Sequence, residues 1–313
     1  MNWKIKASLQ KFLSFTRLGD KLNHIPVTLS KEYHKNVFKY QSWEAVRRFD
    51  YCGAEFLKKE RVALEIGTGY SLISAITLYL LGFKKIITVD ISPDVVFSNF
   101  KKQSQYLNDE AFINAILTRS IYNKETLLQK METISNVKDL KSLFEKLNII
   151  YLAPYQFEDI EKYQQSFDYI TSQVVFEHIS PEILDSLFKK MKNWLVPDGF
   201  SIHTINFIDH FANPGFFQDK TISEFNFLKY SNAYWQFWAG NSIAYVNRLS
   251  YIYYLELAKK YGFLVDFRGE NYRERVLLDE RFIHADVVAK YACKVNLTDL
   301  TKYQRGTLLL TKS

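Results

Sequence analysis

The sequence predicts an α/β fold: a mostly parallel sheet with helices on both faces. Three observations carry this. An apolar run at 61–66 is followed by a glycine turn, a helix-length apolar stretch and a second apolar run at 84–90. Strand, helix, strand in that order requires a right-handed crossover and parallel pairing. The alternation resumes after residue 148, with runs at 149–153 and 167–175, an amphipathic helix, and a Pro-Asp-Gly turn into another run. Finally, a short connection into "GTLLLTK" near the C-terminus predicts an antiparallel partner at the end of the sheet.

Residues 1–60 read as mainly helical, with turn signals at "LGD" and "HIPVT". The first helix can place Ile5, Leu9, Phe12 and Leu13 on one face, either packed on the domain or lying on a membrane surface. Lys4, Lys6, Lys11 and Arg17 interrupt it, which is unlike a signal peptide. "RVALEI" is short, apolar and bounded by a turn, as a buried strand should be. "SLISAITLYLL" is apolar on nearly every face, so it predicts a covered helix, and Gly82 ends it. "KKIITVD" is the second strand.

Residues 100–148 interrupt the alternation. Leu127, Met131 and Ile134, then Val137, Leu140, Phe144 and Leu147, recur at helical spacing and predict a helical insertion. "IIYLA" and "FDYITSQVV" are strands three and four. In the helix that follows, Ser180 is placed to cap and Pro181 suits the first turn, while Ile183, Leu184, Leu187, Met191 and Leu195 supply one face. "FSIHTINF" is strand five, "RLSYIYYLELAKKYG" a helix, and "FLVDFRG" and "GTLLLTK" the last strands. The domain reading is a helical extension at 1–60 and one domain at 61–313, with the insertion at 100–148 and an aromatic-rich cover at 207–247.

The chain has 313 residues, 47% of them hydrophobic, enough for a sizeable core. Its net charge of +7 leaves nucleic acid or an anionic membrane open as partners, but the lysines are spread along the chain as on ordinary solvated faces. The only cysteines, Cys52 and Cys293, form no CxxC pair, which argues against a disulfide framework or a cysteine zinc site and fits a reducing, cytoplasmic compartment. No stretch reaches the ~20 apolar residues of a membrane span.

The chemistry centres on "ALEIGTGYSLIS". A glycine turn between a parallel strand and a helix N-terminus lets a ligand approach bare backbone and presents unpaired N–H groups. The dinucleotide pattern needs a third glycine where Leu72 stands, and a P-loop needs a lysine that is missing. What remains is Glu65, Gly67, Gly69 and Ser71 in E-x-G-x-G-x-S. This resembles motif I of the class I S-adenosylmethionine-dependent methyltransferases, whose usual form has glycine in place of Ser71. "FDYITSQVVFEHI", ending in Glu177-His178, resembles the family's fourth-strand motif, and "WLVPDGF" its turn into strand five. "LYLLGFKKIITVDIS", "IDHFANPG" and "NRLSYIYYLELAKKYGF" resemble methyltransferases of bacterial glycan and secondary-metabolite clusters.

The resemblance implies a Rossmann-like seven-stranded sheet with one antiparallel strand, and S-adenosyl-L-methionine as cofactor. It implies that the glycine turn faces the methionine part, that Glu65 helps orient the amino group, and that Asp90 accepts the ribose hydroxyls. It places Gln156 at the adenine, where the family usually has an acid. It implies an enzyme that moves a methyl group to a small-molecule or glycan acceptor, at oxygen. The alternatives are a nucleic-acid methyltransferase, against which the absence of a basic stripe with interleaved aromatics argues, and a non-catalytic cofactor binder.

An oxygen acceptor must lose a proton, and His178, His203 and His210 follow strands four and five or lie within them. His210, beside Asp209 whose carboxylate can raise its basicity, is the first candidate base and His178 the second; His203 reads as a satisfied sheet residue. No chelating set such as H-E-x-x-H occurs, so no metal is expected. In the aromatic block, Trp235 and Trp238 are candidates to stack on an acceptor ring or, alternatively, to fill a lid core. Arg248 is a candidate for an acceptor phosphate or carboxylate, or else a surface arginine.

Overall fold

The computed structural model describes residues 1–16, 19, 32–53, 55–212 and 217–312. The turn signals "LGD" and "HIPVT" lie largely or wholly outside the described residues, as do 213–216 of the aromatic block. Seven strands form one sheet: β1 Val62–Ile66, β2 Lys85–Val89, β3 Ile149–Leu152, β4 Phe167–Gln173, β5 Leu195–Asn206, β6 Phe263–Glu270 and β7 Arg305–Lys312. Their order is β3-β2-β1-β4-β5-β7-β6. β1 pairs in parallel with β2 and β4, and β2 with β3. β7, inserted between β5 and β6, breaks the sequential order, and the Rossmann-like sheet is mostly parallel with one antiparallel pair. The chain separates into two compact units, one of residues 30–173, 190–203 and 309–313, the other of residues 1–29, 174–189 and 204–308.

The first unit contains β1 to β4. Its core gathers Ala63 and its sheet partners Ile86 and Tyr169 with the helices that cover them. Helix α3 (Ile73–Leu81) is buried at almost every position, as an all-apolar helix must be. It ends at Gly82, where φ is +125° and a Cβ would stand 2.6 Å from Ile121 Cγ1, so glycine is required there. Helix α2 (Tyr33–Phe49) packs on α3. The stretch 100–148 is helical as expected, in α4 (Phe97–Ser104), α5 (Glu110–Leu117), α6 (Lys124–Ser135) and α7 (Leu140–Leu147). Asp109, Asn123 and Asp139 cap the last three by accepting backbone N–H bonds. Leu127, Met131, Ile134, Leu143 and Leu147 enter the same core as α3, so these helices cover the sheet rather than form a body of their own.

The second unit has its own core, largely aromatic. Helix α1 (Trp3–Ser14) is present, but its buried residues are Trp3 and Ala7, whereas Ile5, Leu9 and Phe12 are exposed. Packing on the domain thus falls to the Trp3 indole and Ala7, and the Ile5, Leu9 and Phe12 face stays on the surface. Trp3 packs among Phe211, Tyr230, Trp235 and Trp238, with ring centroids 5.4–5.9 Å apart, and its backbone N–H donates to Asp219 Oδ2 at 3.0 Å. Helices α8 (Pro181–Trp194), α9 (Asn232–Ala239) and α10 (Tyr251–Lys260) follow the predicted order. β5 begins at Leu195, earlier than the glycine turn suggested.

Candidate active site

The residues expected to cradle a cofactor lie in the first unit. β1 delivers the chain into a turn in which Gly67 and Gly69 have φ of +87° and +61°. A β-branched residue is strained at either position, and a Cβ on Gly69 would meet nothing within 4 Å, so open space adjoins that backbone. The N–H groups of Gly67 and Thr68 donate to the Val89 carbonyl at 2.8 and 3.2 Å, tying the turn to the end of β2. Asp90 closes the loop: its Oδ2 accepts the Gly69 N–H at 2.7 Å and its Oδ1 accepts the Ser92 N–H at 3.2 Å. Each oxygen keeps a second lone-pair direction for another donor.

Glu65 is buried, and Thr88 Oγ1 donates to its Oε2 at 2.7 Å. Burial pushes this carboxyl above its ordinary range, while Thr88 and the charge of Arg48 pull it back. Arg48 was not among the residues expected at this site. It is buried in α2, donates to Thr171 Oγ1 at 2.8 Å and also to Gln173, and supplies the cation behind Glu65. Ser71 faces inward: its Oγ donates to Gln103 Oε1 at 2.9 Å and accepts from Ile73 N–H at 3.3 Å. Gln156 is exposed and caps a 3₁₀ turn at Phe157–Tyr163, in a reciprocal pairing with Asp159. His203 is the satisfied sheet residue expected, with Nδ1 at 2.8 Å from Ser172 Oγ and Nε2 at 2.7 Å from Ser201 Oγ. Burial lowers its pKa to about 3.

The other candidate residues lie in the second unit. β4 is left through Val174, a β-branched residue at φ +49°, whose N–H donates to Thr204 O at 2.8 Å. Strain of this kind persists only where the surroundings fix it. The turn that follows is held from three sides. Asn247 Nδ2 donates to the carbonyls of Phe176 and Ile179 at 2.7 and 2.9 Å, and Asn247 N–H donates to the Glu177 carbonyl at 2.9 Å. His178 Nδ1 lies 2.9 Å from the Tyr245 carbonyl, which can only accept, so Nδ1 carries the proton and Nε2 the lone pair.

His178 and His210 are brought together, with ring centroids 4.9 Å apart and planes inclined by 59°. The ring of His178 reaches the surface, and the protein packed along its other side lowers its pKa. Loss of hydration lowers that of His210 to about 3, helped by His178 and Lys6. The expectation that Asp209 raises the basicity of His210 is therefore corrected. The Asp209 carboxylate is turned to the Phe211 N–H at 2.8 Å and to Asn226 Nδ2 at 3.4 Å, and burial lifts its own pKa to about 7. Glu177 is also buried. Its Oε1 accepts Asn206 N–H at 3.3 Å, its Oε2 has no hydrogen-bond partner, and burial pushes its pKa to about 8.

Trp235 is 4% exposed and lies in the aromatic core, with Trp238 packed against it more openly. Arg248 is buried rather than on the surface. Its Nη1 donates to the Phe227 and Tyr230 carbonyls at 3.0 and 2.7 Å and its Nη2 to Asn232, while burial lowers its pKa to about 10. These bonds hold the segment 227–232 in place, which the sequence did not foretell.

The family model described as "Methyltransferase domain" matches residues 37–265. Among solved structures, the chain is similar to phosphoethanolamine N-methyltransferase 2 of Haemonchus contortus in complex with phosphomonomethylethanolamine and S-adenosylhomocysteine. That match has 16% identity, a TM-score of 0.43, and covers 86% of this chain and 52% of that one. The same enzyme with S-adenosyl-L-methionine matches at 16% identity and TM-score 0.43, covering 90% and 58%. Geranyl diphosphate C-methyltransferase of Streptomyces coelicolor, in complex with Mg2+, geranyl diphosphate and S-adenosyl-L-homocysteine, matches at 10% identity and TM-score 0.44, covering 91% and 85%. The chain thus spans little more than half the length of the first two. No curated protein sequence matches it. The family model spans most of the chain, which therefore belongs to the methyltransferase-domain family.

Proposed function

We propose that the protein transfers a methyl group from S-adenosyl-L-methionine to an oxygen of a small-molecule or glycan acceptor. The observation that carries the cofactor side is the turn at Gly67–Gly69, with open space beside Gly69 and Asp90 clamping its N–H at 2.7 Å. When bound, the cofactor supplies a methyl carbon already activated by a sulfonium. Asp90 is assigned to the ribose hydroxyls through its unused lone pairs, Glu65 to orienting the methionine amino group through the network it shares with Thr88, and Gln156 to the adenine. Ser71 acts through Gln103 and positions the start of α3.

On the acceptor side, His178 and His210 are assigned to the nucleophilic oxygen. Both imidazoles are neutral near pH 7, and a ring with a pKa of about 3 is a poor proton acceptor there, so their lone pairs are the chemical resource. Trp238, the more open of the two tryptophans, and Trp235 behind it are assigned to the acceptor's ring, and Arg248 to holding the loop that carries them. The exposed Ile5, Leu9 and Phe12 of α1, with Lys11 on the same helix, support peripheral contact with an anionic membrane. Co-sedimentation with phosphatidylserine vesicles that Phe12→Asp weakens is the expected result. Among the described residues, no helix is long and apolar enough to cross a membrane.

The test of the main reading is incubation with methyl-labelled S-adenosyl-L-methionine and an extract of the source cell, followed by mass spectrometry. Label in a small molecule or oligosaccharide, lost in Asp90→Ala, is expected. Label confined to RNA, or cofactor binding with no labelled product in any fraction, would overturn it.

A further inference from the structure

We propose that Glu177, His178 and His210 form a binding site for one divalent transition-metal ion. One donor atom from each residue lies within 4.8 Å of the other two. Donors bound to one ion at about 2.0–2.2 Å stand about 3–4 Å apart, so the set needs to close by about an ångström. His210, on the loop after β5, supplies that movement through its side-chain torsions.

Four features single these residues out. Glu177 is 3% exposed, and its Oε2 meets no donor, a costly arrangement that a cation would relieve. The Nδ1–H of His178 is fixed on the Tyr245 carbonyl, which aims Nε2 outward as the free lone pair. Metal-bound imidazoles are held in this way, the distal N–H on a carbonyl or carboxylate. The backbone carrying Glu177 and His178 is clamped by Asn247 and turned by the strained Val174, so two of the donors are preset. Finally, His178 is exposed, which leaves a way in for the ion and open coordination positions around it. Lys6 is the cation bearing on His210, and Asp209 in turn bears on Lys6.

Two imidazoles and one carboxylate suit Zn2+, Co2+, Fe2+ or Mn2+ better than Ca2+ or Mg2+, which prefer all-oxygen sites. The inference deepens the acceptor-side reading, on which it rests for what takes the open positions: an acceptor hydroxyl bound there would release its proton to water, and its oxygen lone pair would form the O–CH3 bond as the S–CH3 bond of the cofactor breaks, the electron pair leaving on the sulfur of S-adenosylhomocysteine. The site itself rests only on the three donors. Sequence spacing gave no hint of it, because His210 enters from beyond a whole helix and strand.

The test uses the full chain, stripped with EDTA, dialysed and titrated with CoCl2 without cofactor. One Co2+ per chain and a visible ligand-field band are expected. His210→Gln and Glu177→Gln should each weaken uptake at least about tenfold and remove the band. His284→Gln, at a surface pair with Asp286, should change neither. No stoichiometric uptake by the stripped wild type, or uptake unaltered in His210→Gln, would overturn the inference; His210→Gln decides the matter if Glu177→Gln fails to fold. S-adenosylhomocysteine binding is followed on the same samples. Its retention without Co2+ uptake sinks the metal site alone, and Co2+ uptake without it sinks the methyl-transfer reading alone.

Discussion

The cofactor cradle and the histidine cluster are built in opposite ways. The cradle is local: Glu65, Gly67, Gly69, Thr88 and Asp90 come from one strand–turn–helix–strand unit, and backbone atoms do much of its work. The cluster is assembled: Glu177 and His178 follow β4, His210 follows β5, and Tyr245 and Asn247 arrive from beyond α9. A local site tolerates change in the surrounding core, because neighbouring peptide units hold its geometry. An assembled site depends on that core, since only tertiary packing brings its parts together.

The largest expected effect attacks the assembled region through its core. Trp235→Ala should destabilise the protein by about 3–5 kcal/mol, since it empties the centre of the aromatic cluster. Chemical denaturation followed by tryptophan fluorescence reads this. A loss under about 1 kcal/mol would mean that the cluster collapses to fill the gap, and that the second region does not depend on its packing.

Next is the local region. Asp90→Ala removes the acceptor for two backbone N–H groups and the assigned ribose contact, so affinity for S-adenosylhomocysteine should fall about 100-fold with the far-UV spectrum unchanged. Calorimetry measures it, and full retention of affinity would remove Asp90 from its assigned role.

A smaller effect is expected from His203, which belongs to the first unit but titrates through burial. Its folded pKa is depressed to about 3. Below about pH 6.5 the unfolded imidazole takes a proton that the folded one refuses, so stability falls as pH drops from there, by up to about 1.4 kcal/mol per unit. His203→Gln should flatten that part of the stability profile relative to wild type; an equal loss of unfolding free energy between pH 7 and pH 5 in both proteins, read by urea titration, would contradict it. Smallest of all is Gln156→Ala. Its side chain is exposed and already engaged in a turn, so affinity for S-adenosylhomocysteine should change less than about threefold. A larger loss would extend the cradle beyond β3.

The two regions also differ in how far they could be foreseen. Every strand was placed to within a few residues, because short apolar runs between turn signals are a local property. Glycines 67 and 69 were foreseen for the same reason: positive φ is a demand of the turn itself. Arg48 was not, because a basic residue in an amphipathic helix carries no mark of the buried acid it will serve. Nor was the face of α1, where the choice lay between burying one indole and burying Ile5, Leu9 and Phe12, and was made by partners in the segments 211–238. His210 was expected beside the Asp209 carboxylate and instead lies beside His178. Adjacent residues point apart in extended chain, so Asp209 turned to backbone N–H groups and His178 took its place beside the ring.

The chain's local chemistry therefore dictated the sheet, the glycine turn and the carboxylates that bracket it, because those features need only bond rotations and hydrogen bonds among near neighbours. Tertiary structure alone determined which buried acid lacks a partner, which imidazole nitrogen keeps its lone pair, and which aromatic ring becomes core. Those outcomes depend on desolvation and on contacts between segments far apart in the chain, and neither is written in any short stretch of it.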